Sequence, residues 1–330
     1  MKKEILELLK ERKSYISGQE LSEHFMVSRT AVWKAIEQIK KEGYHIEAVR
    51  NRGYLLVMED VDVYNKAEID ACMNTTYIGR NTFFYQSIGS TNTEAKRMAD
   101  EGCGEGTLLV ADRQTAGKGR RGRSWESPAG QNVYYTLVLK PDINPDRAPM
   151  LTLIMALAVA EGMAAICPEK KDMIKIKWPN DVVISGKKVC GILTEMSVEQ
   201  DYIQHIVIGV GINVKKQTYD ESIADRAISM DEALGITTSR SKLIGYIMES
   251  FEKHYNDFLK SDSLKTLKDD YETLLVNKDR EVRVLDPKGE YNGIALGIND
   301  EGELLVKCES GEVVNVYAGE VSVRGVYGYV

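Results

Sequence analysis

QTAGKGRRGRSW, residues Gln114 to Trp125, sets three glycines among one lysine and three arginines in a 330-residue chain whose formal net charge is -7. Glycines let backbone N–H groups approach a ligand closely, and arginine forks pair with phosphates and carboxylates. The stretch is therefore expected to be an anion-holding loop. An apolar strand pattern, GTLLVADRQ, precedes it, and a second, NVYYTLVLKP, follows it. The phosphate-loop pattern GxxxxGK[ST] is absent, as is GxGxxG after a first strand, so the loop is a different device. Further strands (TFFYQSI, IKIKWPNDVVI, KVCGILTEM, QHIVIGVGINV) alternate with helical stretches (TNTEAKRMADEG, residues 150–166, SRSKLIGYIMESFEKHYNDFL). That alternation predicts a central α/β segment with a mixed sheet over residues 63–272.

Outward from this centre, residues 1–62 predict helix, helix, helix and hairpin, the order of a winged helix-turn-helix. Ser17 precedes Glu20 at capping-box spacing. Ser28 is the expected N-cap of the third helix, whose buried face is Val32, Ala35, Ile36 and Ile39. Arg29, Thr30, Trp33 and Lys34 lie opposite, placed for a major groove, and the wing turn RNRG offers Arg50 and Arg52 to phosphate. Such a domain can instead dock a protein, and acids and bases nearly balance across it. Residues 273–330 predict short strands (REVRVLD, YNGIALGI, LLVKCE, EVVNVYAGEVSVRG) separated by turns, a small antiparallel barrel of SH3-like size.

Composition is that of a globular protein, and its negative balance argues against coating nucleic acid non-specifically. Five scattered cysteines, Cys72, Cys103, Cys167, Cys190 and Cys308, without CxxC, predict reduced thiols, a cytoplasmic setting and no zinc site. The start, MKKEILELLKERK, is charged throughout and is not a signal peptide. The run MLTLIMALAVAEGMAAI, broken by Glu161 and Gly162, predicts a buried helix rather than a membrane span.

Three further motifs accompany the loop. GSTNTEAK places Ser90, Thr91 and Asn92 where a strand meets a helix, either as caps or as a polar nook for a small ring. KWPNDVVISGKKVCGILTE offers Asp181, a turn former or an anchor for Mg²⁺ arriving with a polyphosphate, and Lys188, a surface lysine or a point charge in a site. In IVIGVGINV, Gly209 and Gly211 leave room beside a strand, and Asn213 suits an adenine edge. No poised nucleophile accompanies these groups. Fixed cations that force two anions together suit carboxylate activation by ATP, with the loop folding over the anhydride to keep water out.

In their order, GSTN, QTAGKGRRGRSW, KWPND, GKKVCGIL, IGVGINV and GEVSVRG resemble biotin protein ligases across nearly the whole chain. The N-terminal segment resembles the DNA-binding domain of the bifunctional subgroup that also represses biotin genes. The resemblance implies an α+β multidomain protein: a winged helix-turn-helix, a central mixed-sheet catalytic domain of the class II aminoacyl-tRNA synthetase and biotin synthetase type, and an SH3-like barrel. It implies that biotin and Mg·ATP give biotinyl-5′-AMP, and that biotin then passes to a lysine of the biotin carboxyl carrier protein of acetyl-CoA carboxylase. By motif match, Ser90, Thr91 and Gln114 would bind the ureido ring, with Asn92 in the same motif. Lys118 and Gly119 would belong to the loop over biotin, and Trp125, Gly209 and Gly211 would border its apolar part. Arg120 and Lys188 would bridge carboxylate and α-phosphate. Arg123 would reach phosphate, Asp181 would lie near Mg²⁺, Asn213 near adenine, and Arg324 would approach the nucleotide from the barrel. Operator DNA would meet Ser28, Arg29, Thr30, Trp33, Lys34, Arg50 and Arg52 in an adenylate-bound homodimer. The chain departs from the family at Lys118, usually arginine, and at Cys190, often alanine and here a possible source of thiol sensitivity. Tyr219 is the one aromatic available after Asn213 for adenine. A non-catalytic biotin-sensing repressor and a lipoate-type ligase are the alternatives.

Overall fold

The computed structural model describes residues 1–57, 62–200, 202–286, 289–317, 322–325 and 329–330. The chain divides into two compact units, Met1–Glu68 and Ile69–Val330.

The first unit contains α1 (Lys2–Arg12), α2 (Gly18–His24), α3 (Arg29–Lys41), β1 (Ile46–Val49) and β2 (Gly53–Leu56). Ser17 and Ser28 cap α2 and α3, their hydroxyls accepting from the N–H groups of Glu20 and Ala31. Ile5, Leu9, Leu21, Val32, Ala35, Ile36 and Ile39 form one core. That burial turns Arg29, Thr30, Trp33 and Lys34 outward. β1 and β2 pair antiparallel as the expected wing, and Tyr54 adds two backbone bonds to Ile16. Gly53 has φ +104°, and a Cβ there would lie 2.1 Å from the Ile16 carbonyl oxygen, so a side chain is excluded.

From α4 (Lys66–Ala71) the chain enters the second unit, with β3 (Asn81–Tyr85), α5 (Thr91–Asp100), β4 (Thr107–Ala111), β5 (Val133–Leu139) and α6 (Ala148–Ile166). There follow β6 (Ile174–Lys177), β7 (Asp181–Ile184), β8 (Lys187–Glu199), β9 (Tyr202–Ile212), α7 (Met230–Leu234), α8 (Arg240–Ser261) and α9 (Lys268–Leu274). Seven strands form one sheet in the order β3-β4-β5-β9-β8-β7-β6. Only the β3–β4 pair is parallel, so the sheet is mixed as expected.

α6 is apolar almost all round, Glu161 apart, because most of its residues are buried. It has the length and composition to cross a membrane but lies in the core against α8. Gly162 permits that approach, since a Cβ would meet Ile247 Cγ1 at 2.5 Å. Across the sheet, Ala95 and Ala99 of α5 pack on Leu109, Val138 and Val207.

β10 (Arg280–Asp286), β11 (Gly289–Ile298), β12 (Leu304–Cys308), β13 (Val313–Val316) and β14 (Ser322–Gly325) form an antiparallel sheet, ordered β13-β12-β11-β10-β14, inside the second unit. The segment 312–325, expected as one strand, is two. Trp178 ties this sheet to the larger one: its indole N–H donates to the Gly302 carbonyl at 3.0 Å.

Because Ile36 is fully buried in the small first core, Ile36→Ala should destabilise this unit by about 2–5 kcal/mol. Urea unfolding followed by Trp33, the only tryptophan of the unit, measures this directly.

Candidate active site

Strand register builds the site. Side chains directly opposite in a ladder share a face, and successive residues alternate between faces. One row runs Lys177, Asp181, Gly191, Gly211, Tyr134 across β6, β7, β8, β9 and β5. The same-face row beside it contains Leu193, Gly209 and Thr136. Three of these positions are glycines, so the face has a gap in its side chains. A Cβ at Gly209 would lie 2.0 Å from Asn92 Oδ1, and one at Gly211 would lie 2.5 Å from Trp125 Nε1. The glycines are therefore required by what stands on them. Cys190, Ile192 and Thr194 face the other way, where the Thr194 hydroxyl lies 2.7 Å from that of Thr152 on α6.

Lys188 should follow Cys190 to the α6 side by alternation. A register shift prevents this: Cys190 pairs with Val182, but Lys188 pairs with the next residue, Val183. The extra residue, Val189, forms a bulge, and bulges re-aim side chains. Lys188 Nζ thus lies 3.0 Å from where a Gly191 Cβ would be, 2.6 Å from Asp181 Oδ1 and 5.3 Å from the centre of the Trp125 ring.

The polar end sits where α5 begins. The Ser90 side chain makes no capping bond, and Ser90 is among the residues that line the cavity. Gln114 Oε1 accepts from the Thr91 backbone N–H at 2.9 Å and from its hydroxyl at 3.1 Å. Gln114 Nε2 donates to Ser127 Oγ at 3.1 Å. Thr136 Oγ1 donates to Asn92 Oδ1 at 2.6 Å, and Asn92 Nδ2 donates to Glu195 Oε2 at 2.8 Å. Burial opposes the charge of Glu195, but hydrogen bonds from Lys96 and Asn92 outweigh it and hold the carboxyl below its ordinary value.

Ser90, Thr91, Asn92, Gln114, Lys118, Gly119, Arg120, Trp125, Lys188, Gly209 and Gly211, all expected in one site, line one cavity. Arg120 crosses it to donate to Asn180 Oδ1 at 2.8 Å. Burial lowers the Arg120 pKa, an effect that Asp181 partly offsets. The loop closes on itself, with the Gly119 N–H donating to the Arg123 carbonyl at 2.7 Å. Lys118 reaches Thr93 Oγ1 at 3.2 Å, outside the charge cluster.

A second, larger cavity adjoins the first. Arg120, Arg123, Asp181, Lys188, Asn213 and Tyr219 line it, and its wall carries seven basic side chains against four acidic ones. This local excess explains how an acidic chain can hold a polyanion. Among the described residues, no group of three or more His, Cys, Asp or Glu could hold a metal. Asp181 fits an ion delivered with phosphate oxygens rather than one held in a protein cage.

Sequence reasoning missed Thr136, Asn180, Glu195, Lys177 and Tyr329. Only strand pairing reveals Thr136 and Glu195. Tyr329 donates to Asp181 Oδ2 at 2.5 Å, and its ring lies 3.5 Å from Lys177 Nζ. Burial, then the charge of Asp181, pushes this phenol's pKa well up. The side chain of Arg324, expected near the nucleotide, lies outside the described residues. The residues expected to meet DNA, Ser28, Arg29, Thr30, Trp33, Lys34, Arg50 and Arg52, are exposed in the first unit. There Arg29 donates to Gln19 Oε1, and Arg52 lies 5.2 Å from the Tyr15 ring centre.

Residues 84–213 match the biotin/lipoate A/B protein ligase family, residues 2–55 an HTH domain, and residues 279–324 the biotin protein ligase C terminal domain. The chain is 39% identical to the bifunctional ligase/repressor BirA of Bacillus spizizenii, over 97% of this chain and 98% of that one. It is 29% identical to the Escherichia coli protein of that name, over 93% and 92%. The structure of the biotin protein ligase of Aquifex aeolicus in complex with biotin and ATP is similar at a TM-score of 0.64 and 30% identity, covering 74% of this chain and 99% of that one.

Cys190 is fully buried, and burial raises its thiol pKa, so its thiolate is suppressed. In the folded protein at pH 8, iodoacetamide should leave Cys190 unmodified while the half-buried Cys103 and Cys308 react. Mass spectrometry of labelled peptides checks this, and labelling of native Cys190 would restore it as a source of thiol sensitivity.

Proposed function

The chain belongs to the biotin protein ligase family, in its bifunctional ligase/repressor group, and from that premise we propose how its own residues carry the reaction. The protein is an ATP-dependent ligase that makes biotinyl-5′-AMP and transfers biotin to a lysine of a biotin carboxyl carrier protein. It also represses transcription through its helix-turn-helix domain. We divide it into a DNA-binding domain (1–62), a catalytic domain (63–272) and a C-terminal domain (273–330), with the protein acting in the cytoplasm.

The observation that carries this reading is the glycine-floored cavity with hydroxyls and amides at one end and two cations at the other. That polarity matches biotin. Its ureido ring would take Ser90, Thr91 and Gln114. Its chain would lie against Trp125, which itself stands over Gly191 and Gly211. Its carboxylate would meet Arg120 and Lys188, which also face the larger cavity. There Arg123 would meet phosphate and Asn213 the adenine, while Lys118 and Gly119 close over the intermediate.

A carboxylate oxygen attacks the α-phosphorus, the bond from that phosphorus to the bridging oxygen breaks, and pyrophosphate leaves. Lys188 and Arg120 offset the repulsion between the two anions and stabilise the charge that develops. The acceptor amine then attacks the activated carbonyl, AMP leaves, and the nitrogen loses a proton as the amide forms. When bound with ATP, Mg²⁺ would supply further charge screening, with Asp181 as its protein carboxylate. On DNA, Arg29, Thr30, Trp33 and Lys34 would enter a major groove beside the wing arginines, Arg50 and Arg52. Adenylate binding would favour the homodimer that spans two half-sites.

Biotin-dependent ATP–pyrophosphate exchange tests the ligase, with lipoate as the control acid. Exchange is expected with biotin alone, and none with either acid would leave a sensor without catalysis. Lys188→Ala should lower exchange about 100- to 1000-fold, and unchanged exchange would remove its assigned role. Arg29→Ala should weaken operator binding by about 1–3 kcal/mol in a gel-shift titration while biotinylation stays intact. Parallel loss of both would refute the division of labour.

A further inference from the structure

We propose that Tyr329 is a positioning residue for the nucleotide half-reaction, keeping Asp181 in place when Lys188 leaves it for the substrate anions. This rests on the ligase reading above.

Both oxygens of Asp181 are engaged. Oδ1 pairs with Lys188 Nζ at 2.6 Å, and Oδ2 accepts from the Tyr329 hydroxyl at 2.5 Å. The mechanism needs Lys188 elsewhere. Once its ammonium turns to the carboxylate and the α-phosphate, Oδ1 loses its partner. A carboxylate on the wall of an open cavity would then be free to rotate, and a rotated Asp181 is useless to an incoming cation. Tyr329 prevents this because it holds the oxygen that Lys188 does not use. It is itself anchored, since its ring lies 3.5 Å from the ammonium of Lys177, close enough for a cation–π interaction. Lys177 is 4% exposed and stands opposite Asp181 in the strand register. Lys177, Tyr329 and Asp181 are thus a braced set, with one carboxylate oxygen left to exchange partners. The three line the larger, basic cavity, and Tyr329 is absent from the lining of the biotin cavity. Its effect should therefore fall on nucleotide rather than biotin.

Tyr329→Phe is the informative variant. It removes the hydroxyl and keeps the ring over Lys177, so the packing survives. Three quantities are measured on the full chain: the KM values for MgATP and biotin in pyrophosphate exchange, the Kd of α,β-methylene ATP by calorimetry at several MgCl₂ concentrations, and the Kd of biotin alone. The expected result is a rise of about three- to tenfold in the MgATP KM and in the Kd of the analogue, the scale of one lost hydrogen bond. The MgCl₂ midpoint should rise with them, while biotin binding stays unchanged. Tyr329→Ala, which also strips the ring from Lys177, should raise the nucleotide values further. Unchanged nucleotide binding in Tyr329→Phe overturns the proposal. Tighter binding also overturns it and would make Tyr329 an obstruction in the site. Equal weakening for biotin would mean a general structural role and overturn it as well. Absence of biotin-dependent exchange in the unmodified protein would show that the ligase reading itself fails, and this proposal with it.

Discussion

Everything in the catalytic unit depends on one constraint: the register of β5, β9, β8 and β7 brings Gly191, Gly209 and Gly211 onto one face. A sheet face normally fills its surface with side chains. Here it is bare, and Asn92 and Trp125 settle onto the gap within distances that no Cβ would tolerate. Shifting β8 or β9 by one residue would send its glycines to the α6 side and fill the cavity floor. The cavity is therefore a property of pairing before it is a property of the loop that covers it.

The same register decides where charge falls. The bulge at Val189 turns Lys188 to the cavity side, and the ladder sets Asp181 and Lys177 along the row that ends at Gly191 and Gly211. Arg120 comes from the glycine-rich loop and is held against Asn180, 60 positions away. A rigid sheet thus supplies one cation and a glycine-rich loop the other. Such a division suits a reaction whose intermediate must be enclosed after it forms and later released to a protein acceptor.

Much of this was legible in the sequence, for identifiable reasons. The buried helix α6 showed in its long apolar run, broken only at Glu161 and Gly162, and the strands showed in their own apolar patterns. The caps Ser17 and Ser28 sat at their expected spacing. The glycine-arginine loop announced an anion because few structural needs require both residue types together. The short helices α4, α7 and α9 did not show, since five to seven residues carry too little periodicity. The join between β13 and β14 was hidden inside one strand-like run. Thr136 looked like any residue of a buried strand, and only its placement opposite Gly209 brings it to Asn92. Tyr329 was less legible still, because nothing local to it hints at Asp181, a neighbour 148 positions away. Cys190 could be weighed only after alternation placed it on the α6 side of β8, away from the lysine two residues before it.

An unpaired ammonium facing half-buried surroundings is costly, and removing one member of a buried pair costs more than the pair is worth. Lys188 avoids this by resting on Asp181, and Arg120 rests on the amide of Asn180. Neither partner competes strongly with a substrate that brings both a carboxylate and a polyphosphate. An ion pair at 2.6 Å and a hydrogen bond to a neutral amide oxygen at 2.8 Å hold the cations near their working positions. The site is therefore preorganised in position, and a substrate that brings both anions engages both cations at once.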